Sequence, residues 1–266
     1  MQLYDYHVHS TISFDARVSL FEVCRAAVRI GAAGITFTEH VEFTRADEKG
    51  RIPDFGAYRR QIAAARESFP QLEIGMGLEI GMYAGRKGEI EDIVGGGDWD
   101  FVLASLHTVG GLCAYNNDFT RGKDKQYAFR QYFDALYQII EEIPCFDVAA
   151  HLDMIRRNNS VEDRSLNYAD YADSLDAILK LLIHREQGLE VNTAGWRFGL
   201  GAPHPHGSIL HRYKELGGKI VTCGSDSHNE RVCDRIDEGY QWMLQNGFRQ
   251  LTLYRKRQPY FIDLCI

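Results

Sequence analysis

The sequence predicts an α/β barrel. Two patterns carry that expectation. Short apolar, β-rich runs alternate with longer segments of helical periodicity along the chain, and each run ends in a polar side chain with a donor atom to offer. The 266 residues also contain no Pro/Ser-rich linker, low-complexity stretch or short repeat to mark a boundary, so a single domain over 1–266 is expected.

The elements read in order as follows. The run LYDYHVH (3–9) is followed by SLFEVCRAAVRIG (19–31), whose apolar residues recur three and four apart. GITFTEH (34–40) leads to FGAYRRQIAAARESF (55–69), then LEIGMGLE (72–79) to DFVLASLH (100–107). Between the last two lies GGGDWD (95–100), which precedes a strand. It lacks the strand, glycine, helix order of a phosphate-cradling loop and reads as a turn. YAFRQYFDALYQIIEEI (127–143) precedes FDVAAH (146–151), DSLDAILKLLIHREQ (173–187) precedes GLEVNT (188–193), and HGSILHRYKELGG (206–218) precedes GKIVTCGSD (218–226). Seven strands alternating with helices imply parallel pairing through right-handed crossovers, in an open sheet or a closed barrel. The strand ends decide between them. They are His7 and His9, His40, Glu79, His107, His151, Asn192, and Asp226 with His228 just beyond. An open sheet spreads its ends by roughly 4.8 Å per strand. A barrel gathers them on one face.

Composition narrows the function. With 45% hydrophobic and 25% charged residues the chain can bury a core and stay soluble, and its net charge of -7 argues against gripping nucleic acid. Charge interrupts every apolar run before membrane-spanning length, and the first residues lack a secretory pattern, so no membrane partner and a cytoplasmic location are expected. The six cysteines, Cys24, Cys113, Cys145, Cys223, Cys233 and Cys265, form no CxxC pair and read as buried free thiols of a reducing compartment. Nothing in the pattern specifies an oligomeric state.

A single histidine near a strand end is commonly a hydrogen-bonded core residue. Here six of the ten histidines sit at or just past strand ends, beside a glutamate and an aspartate whose charge needs a partner there. His7 and His9, two apart on a strand, project to one face and can chelate one ion. Imidazole with carboxylate suits zinc, manganese or iron. The candidate ligands are His7, His9, Asp15, His40, Glu79, His107, His151, Asp226 and His228, too many for one centre. Glu79, deepest of the carboxylates, is the candidate bridge between two ions. His184, His204, His206 and His211 read as surface or capping residues, with His204 and His206 near enough in sequence to reach the barrel mouth.

DYHVHSTISFD, GITFTEH, GLEIGM, FVLASLH, AAHLDMIRR, EVNTAGWR and GSDSH together resemble the polymerase-and-histidinol-phosphatase (PHP) superfamily, and within it the histidinol-phosphate phosphatases. The likeness runs from residue 5 to about residue 245, with the motifs in order. It implies a distorted, TIM-barrel-like fold of seven strands and seven helices. It also implies two or three divalent ions, zinc, manganese or iron. One would be held by His7, His9, Glu79 and Asp226, a second by Glu79, His107 and His151, and a third by Asp15, His40 and His228. Many members carry histidine where Asp15 stands, while a subset of the histidinol phosphatases carries aspartate. A harder carboxylate ligand shifts preference from zinc toward manganese or iron, or weakens the third site. Arg157 and Arg197 match positions of substrate-binding arginines, whose guanidinium forks suit phosphate oxygens. For Arg157, the competing reading is a surface arginine beside Arg156.

The expected activity is metal-assisted hydrolysis of a small phosphomonoester, L-histidinol phosphate in histidine biosynthesis by resemblance, with Glu79 central and Asp226 or His228 protonating the leaving alkoxide. Phe14, Tyr115, Trp196 and Phe198 are candidates to line the mouth. The alternatives are a PHP phosphoesterase acting on nucleotides or other phosphomonoesters, an amidohydrolase-type barrel, and a non-catalytic metal-stabilised module. No segment is long enough for the inserted subdomain of nucleotide-specific members, no expected strand ends in the lysine of amidohydrolases, and all nine ligands are retained.

Overall fold

The computed structural model describes residues 1–43, 51–157 and 163–264. Strand β1 (Tyr4–Val8) is followed by helix α1 (Leu20–Arg29), β2 (Gly34–Glu42), α2 (Phe55–Ser68), β3 (Glu73–Gly81), α3 (Lys87–Gly95) and β4 (Phe101–Ser105). A small hairpin, β5 (Thr108–Val109) and β6 (Leu112–Cys113), and the single turn α4 (Asn117–Thr120) lead into α5 (Lys125–Glu142) and β7 (Val148–Ala149). Short 3-10 turns at Met154–Arg157 and Tyr168–Tyr171 precede α6 (Ala172–His184), β8 (Gly188–Asn192), the turn α7 (Ala194–Arg197), α8 (Gly207–Glu215) and β9 (Val221–Gly224). Helix α9 (Ile236–Gln245) and a hairpin of β10 (Gln250–Arg255) and β11 (Gln258–Asp263) complete the described chain.

Seven strands pair in parallel in the order β1, β2, β3, β4, β7, β8, β9. The two edges then meet. Asp226 N donates to His7 O at 2.8 Å and His9 N to Ser227 O at 2.9 Å, beside a parallel bridge between Val8 and Ser227, which nearly closes the barrel. Asp5 reinforces that seam from β1, accepting from Ser225 N at 2.8 Å, Ser225 Oγ at 2.5 Å and Cys233 N at 2.7 Å. The β2–β3 register runs unbroken from Gly34 opposite Glu73 to Glu42 opposite Gly81, and so sets His40 beside Glu79.

The helices form where the sequence supplies both an apolar stripe and a start signal. Ser19 caps α1 in a capping box with Glu22, and Leu20, Val23, Cys24 and Ala27 bury the inward stripe. Asp124 caps α5, which buries Phe129, Tyr132, Phe133, Leu136 and Ile140. The terminal hairpin covers the other end of the barrel. There Tyr6 Oη donates to Tyr254 O at 3.1 Å and accepts from Tyr254 N at 2.9 Å, while Thr252 Oγ1 accepts from Val221 N at 3.0 Å.

Seven of the described helices have nine or more residues, as the resemblance implies. Two of them, α3 and α9, and the β10–β11 hairpin are absent from the run-by-run reading. Helix α3 buries only Ile90 and Val94, α9 carries the poor helix former Gly239 in its first half, and the hairpin turns on Lys256 and Arg257, whose positive φ values of 47° and 61° follow no Asn-Gly signal. GGGDWD connects α3 to β4 as a turn. Cys24, Cys223 and Cys233 are buried, whereas Cys113 and Cys145 are only half-buried, which corrects the expectation for those two thiols; Cys265 lies outside the described residues.

Candidate metal centre

The C-terminal ends of the seven strands converge, and Glu79, near the end of β3, stands at the middle. One carboxylate oxygen, Oε2, lies 3.1 Å from His7 Nε2, 3.4 Å from His9 Nε2 and 3.0 Å from His40 Nδ1. The other, Oε1, lies 3.2 Å from His107 Nε2 and 2.9 Å from His151 Nε2, and accepts from Ser105 Oγ at 2.5 Å. His7, His9, Glu79 and His151 are each at most 1% exposed. Asp226 Oδ1 lies 3.8 Å from both His7 Nε2 and His9 Nε2. Nearer the surface, Asp15 Oδ2 is 3.5 Å from His40 Nε2 and 3.4 Å from His228 Nε2, which are themselves 3.2 Å apart. All nine sequence-expected ligands thus belong to one constellation. Two of them, His151 and Asp226, have positive φ values of 23° and 55°, a conformation that costs a non-glycine residue on the order of 1–3 kcal/mol and gathers at functional sites.

Carboxylates behind the imidazoles fix how the rings face. Glu190 Oε1 lies 2.5 Å from His7 Nδ1, and its Oε2 accepts from His151 N at 2.8 Å and Asn192 Nδ2 at 3.0 Å. Glu42 Oε1 lies 2.5 Å from His107 Nδ1 and 3.4 Å from His40 Nδ1. With Nδ1 of His7 and His107 donating outward, Nε2 of each presents its lone pair to Glu79's side of the site, the arrangement by which a carboxylate orients a metal-binding imidazole. Glu39 holds the loop after β1, accepting from Ser10 N at 3.1 Å and Ser13 N at 3.0 Å. Two glycines make room: a Cβ on Gly224 would lie 2.3 Å from His7 Cβ and 2.7 Å from Glu190 Oε1, and one on Gly81 would lie 2.1 Å from Glu42 Oε2.

Sequence reasoning did not single out Glu42, Glu190 or Asp153. A signal was present for the first two. Glu42 follows His40 by two residues, and Glu190 precedes Asn192 by two, so each shares a strand face with a strand-end residue. His204 requires a correction, since it is neither a surface nor a capping residue: it is fully buried, its Nδ1 2.5 Å from Asp153 Oδ1. His206 does cap α8, and His184 and His211 lie outside the constellation on helices α6 and α8.

The constellation floors a cavity of about 380 Å³ lined also by Arg157, Arg197, Phe14, Tyr115 and Phe198. Trp196 instead stacks beneath Arg235. Arg157 is no surface residue: it is 9% exposed, and its Nη2 donates to Asp226 Oδ2 at 2.9 Å. Arg197 donates to Asp226 O at 2.8 Å and to Ser225 O at 3.2 Å. A larger cavity, about 740 Å³, opens at the opposite end between the strand starts and Arg255 and holds none of these histidines, so size does not mark the chemistry.

The donor set fits divalent ions. His7 Nε2, His9 Nε2, His40 Nδ1 and Glu79 Oε2 are buried and make no hydrogen bond among the described residues, although they crowd within 3.4 Å of Glu79 Oε2. Buried donor atoms that converge without a hydrogen bond suit a bound cation, and, against the lowering by burial, the carboxylates facing His7, His40 and His107 raise those imidazole pKa values. The charges agree. Burial raises the pKa of Glu79 and Asp226, but imidazoles around the first, and His7 and Arg157 beside the second, hold both well below the usual carboxylate range. Burial and the neighbouring His228, His40 and His7 hold the His9 pKa well below the ordinary imidazole value, leaving one ring nitrogen with a lone pair to coordinate.

The PHP domain family matches residues 5–194. The chain is 31% identical over 259 residues to the histidinol-phosphatase of Lactococcus lactis, covering 96% of this chain and 95% of that protein. It is 29% identical over 226 residues to a probable histidinol-phosphatase of Clostridium acetobutylicum, covering 85% and 86%. The crystal structure of histidinol phosphate phosphatase from L. lactis, complexed with zinc, L-histidinol and phosphate, matches with a TM-score of 0.88 at 28% identity, over 97% of this chain and 98% of that one.

Proposed function

The chain belongs to the PHP domain family, and on that premise we propose that it is a metal-dependent phosphatase that hydrolyses L-histidinol phosphate to L-histidinol and phosphate, acting as one domain over 1–266 in the cytoplasm. The observation that carries this reading is Glu79, whose two oxygens face different sets of imidazoles beneath a cavity bearing two arginines. The L. lactis phosphatase, with L-histidinol and phosphate bound, supplies the substrate. No helix among the described residues is long and apolar enough to cross a membrane.

Two or three ions, zinc, manganese or iron, would be held by His7, His9, Glu79 and Asp226, by Glu79, His107 and His151, and by Asp15, His40 and His228. Bound there, they supply Lewis-acid neutralisation of the charge that builds on the phosphoryl oxygens. The chain's own groups do the rest. Arg157 and Arg197 bind and orient the phosphoryl group from above the strand ends, as fixed positive charge that needs no reorganisation during reaction. Of Asp226 and His228, we assign the proton for the leaving oxygen to His228, whose Nδ1 lies 3.6 Å from Oδ1 of the ionised Asp226 carboxylate. Phe14, Tyr115 and Phe198, 50%, 51% and 42% exposed, offer apolar faces to the imidazole ring of the leaving group.

The test is a phosphate-release screen on metal-loaded protein with histidinol phosphate, nucleotides and sugar phosphates at equal concentration. We expect histidinol phosphate to give the highest kcat/KM. A nucleotide preferred by more than about tenfold, a difference of about 1.4 kcal/mol in transition-state binding, overturns the substrate while leaving the chemistry.

A further inference from the structure

A chain of buried polar groups runs away from the candidate metal ligands, from Arg157 through His204 to Asp153. Arg157 Nε lies 3.1 Å from His204 Nε2, and His204 Nδ1 lies 2.5 Å from Asp153 Oδ1; His204 and Asp153 are both 0% exposed. A guanidinium only donates hydrogen bonds, so Nε2 must present its lone pair and the ring proton must sit on Nδ1, facing the carboxylate. The ring is anchored from both sides. Asp153 Oδ2 accepts from Arg156 Nη1 and from His206 N, each at 2.9 Å. The His204 backbone pairs with Asn192 in both directions, at 2.9 and 2.7 Å.

Arg157 is therefore held on three atoms of its surroundings. Besides His204, its Nη2 donates to Asp226 Oδ2 at 2.9 Å and Asn192 Oδ1 at 3.3 Å, and the Phe198 ring lies 4.6 Å from the guanidinium carbon. Its Nη1 makes no hydrogen bond among the described residues, and Arg157 lines the cavity over the strand ends.

We propose that Asp153 and His204 are positioning residues that hold the Arg157 guanidinium with Nη1 toward the cavity, ready for a phosphoryl oxygen. A long side chain loses rotamer freedom when it grips a ligand, and one already fixed by three acceptors loses little. A neutral imidazole suits the task because it accepts from Arg157 without cancelling its charge. A carboxylate in its place would be a second one against the guanidinium, which already faces Asp226 Oδ2 at 2.9 Å. The inference rests on the reading of Arg157 as a phosphate-facing cation.

The experiment measures orthophosphate binding to the metal-loaded protein by calorimetry, with kcat/KM for histidinol phosphate, metal content and thermal midpoint alongside. Loss of one hydrogen bond to a charged group weakens binding about tenfold. We expect H204A to weaken orthophosphate about tenfold at unchanged metal content. His204→Gln, whose amide can accept from Arg157 and donate to Asp153, should return affinity to within about twofold of wild type. On an R157A background, H204A should add nothing. Should H204A not fold, His204→Asn, too short to reach Arg157, compared with His204→Gln gives the same contrast. Wild-type affinity in H204A or His204→Asn, effects of H204A and R157A that multiply, or a loss that follows metal content overturns the proposal. Failure of the phosphatase reading shows separately, as wild-type protein that releases no phosphate from any ester tested; the orthophosphate arm then decides the positioning alone.

Discussion

At the scale of single residues the site turns on Glu79, because among the described residues no other side chain faces imidazoles from five positions, His7, His9, His40, His107 and His151. We expect E79A and H107A each to bring phosphate release to background and to lower bound metal by at least one ion per chain, read by elemental analysis. Activity near normal with full metal content in both would sink the multimetal reading. Gly224 makes a different kind of demand. A methyl there would collide with His7 and Glu190, so G224A should destabilise by ~1–3 kcal/mol, as overpacking does, and lower metal affinity with it; an unchanged melting curve would show that the strand moves aside. Eight of the nine candidate ligands were legible because the end of a strand is visible in sequence as the point where an apolar run meets a polar side chain; Asp15, in the loop between β1 and α1, was marked only by its place six residues after His9. The carboxylates behind them were not singled out, since a glutamate inside an apolar run has no partner in sequence: Glu190 meets His7 only across 183 positions of chain.

At the scale of elements, the seven barrel strands and five of the seven longer described helices followed from periodicity, with ends displaced by a few residues. The terminal hairpin did not. Its hold on the barrel runs through Tyr6, whose hydroxyl both donates to and accepts from Tyr254. Y6F removes both bonds and leaves a buried N–H and C=O of β10 short of a partner, which costs about 1–3 kcal/mol. We expect a lower thermal midpoint with phosphate release unchanged, because Tyr6 lies at the end of the barrel opposite the site. A loss of turnover in folded Y6F would mean that the two ends are coupled.

At the scale of the molecule, the candidate centre closes the top of the barrel with ionised carboxylates, Glu79 and Asp226 among them, that lie out of water. An ion bound only by the folded chain adds about 4 kcal/mol at a concentration 1,000-fold above its Kd. We expect chelation to lower the thermal midpoint by several degrees and re-addition of zinc or manganese to restore it. A midpoint indifferent to chelator would argue that the barrel mouth is stable without ions. Sequence alone determined the repeating strand and helix order, the polar strand ends and hence the barrel, since these depend on local periodicity and on which residues end each run. Only the tertiary structure decided which carboxylate backs which imidazole, that His204 is buried against Asp153, and that Arg157 faces the cavity. Those facts depend on contacts between segments 35 to 183 residues apart, and distance along the chain carries no record of them.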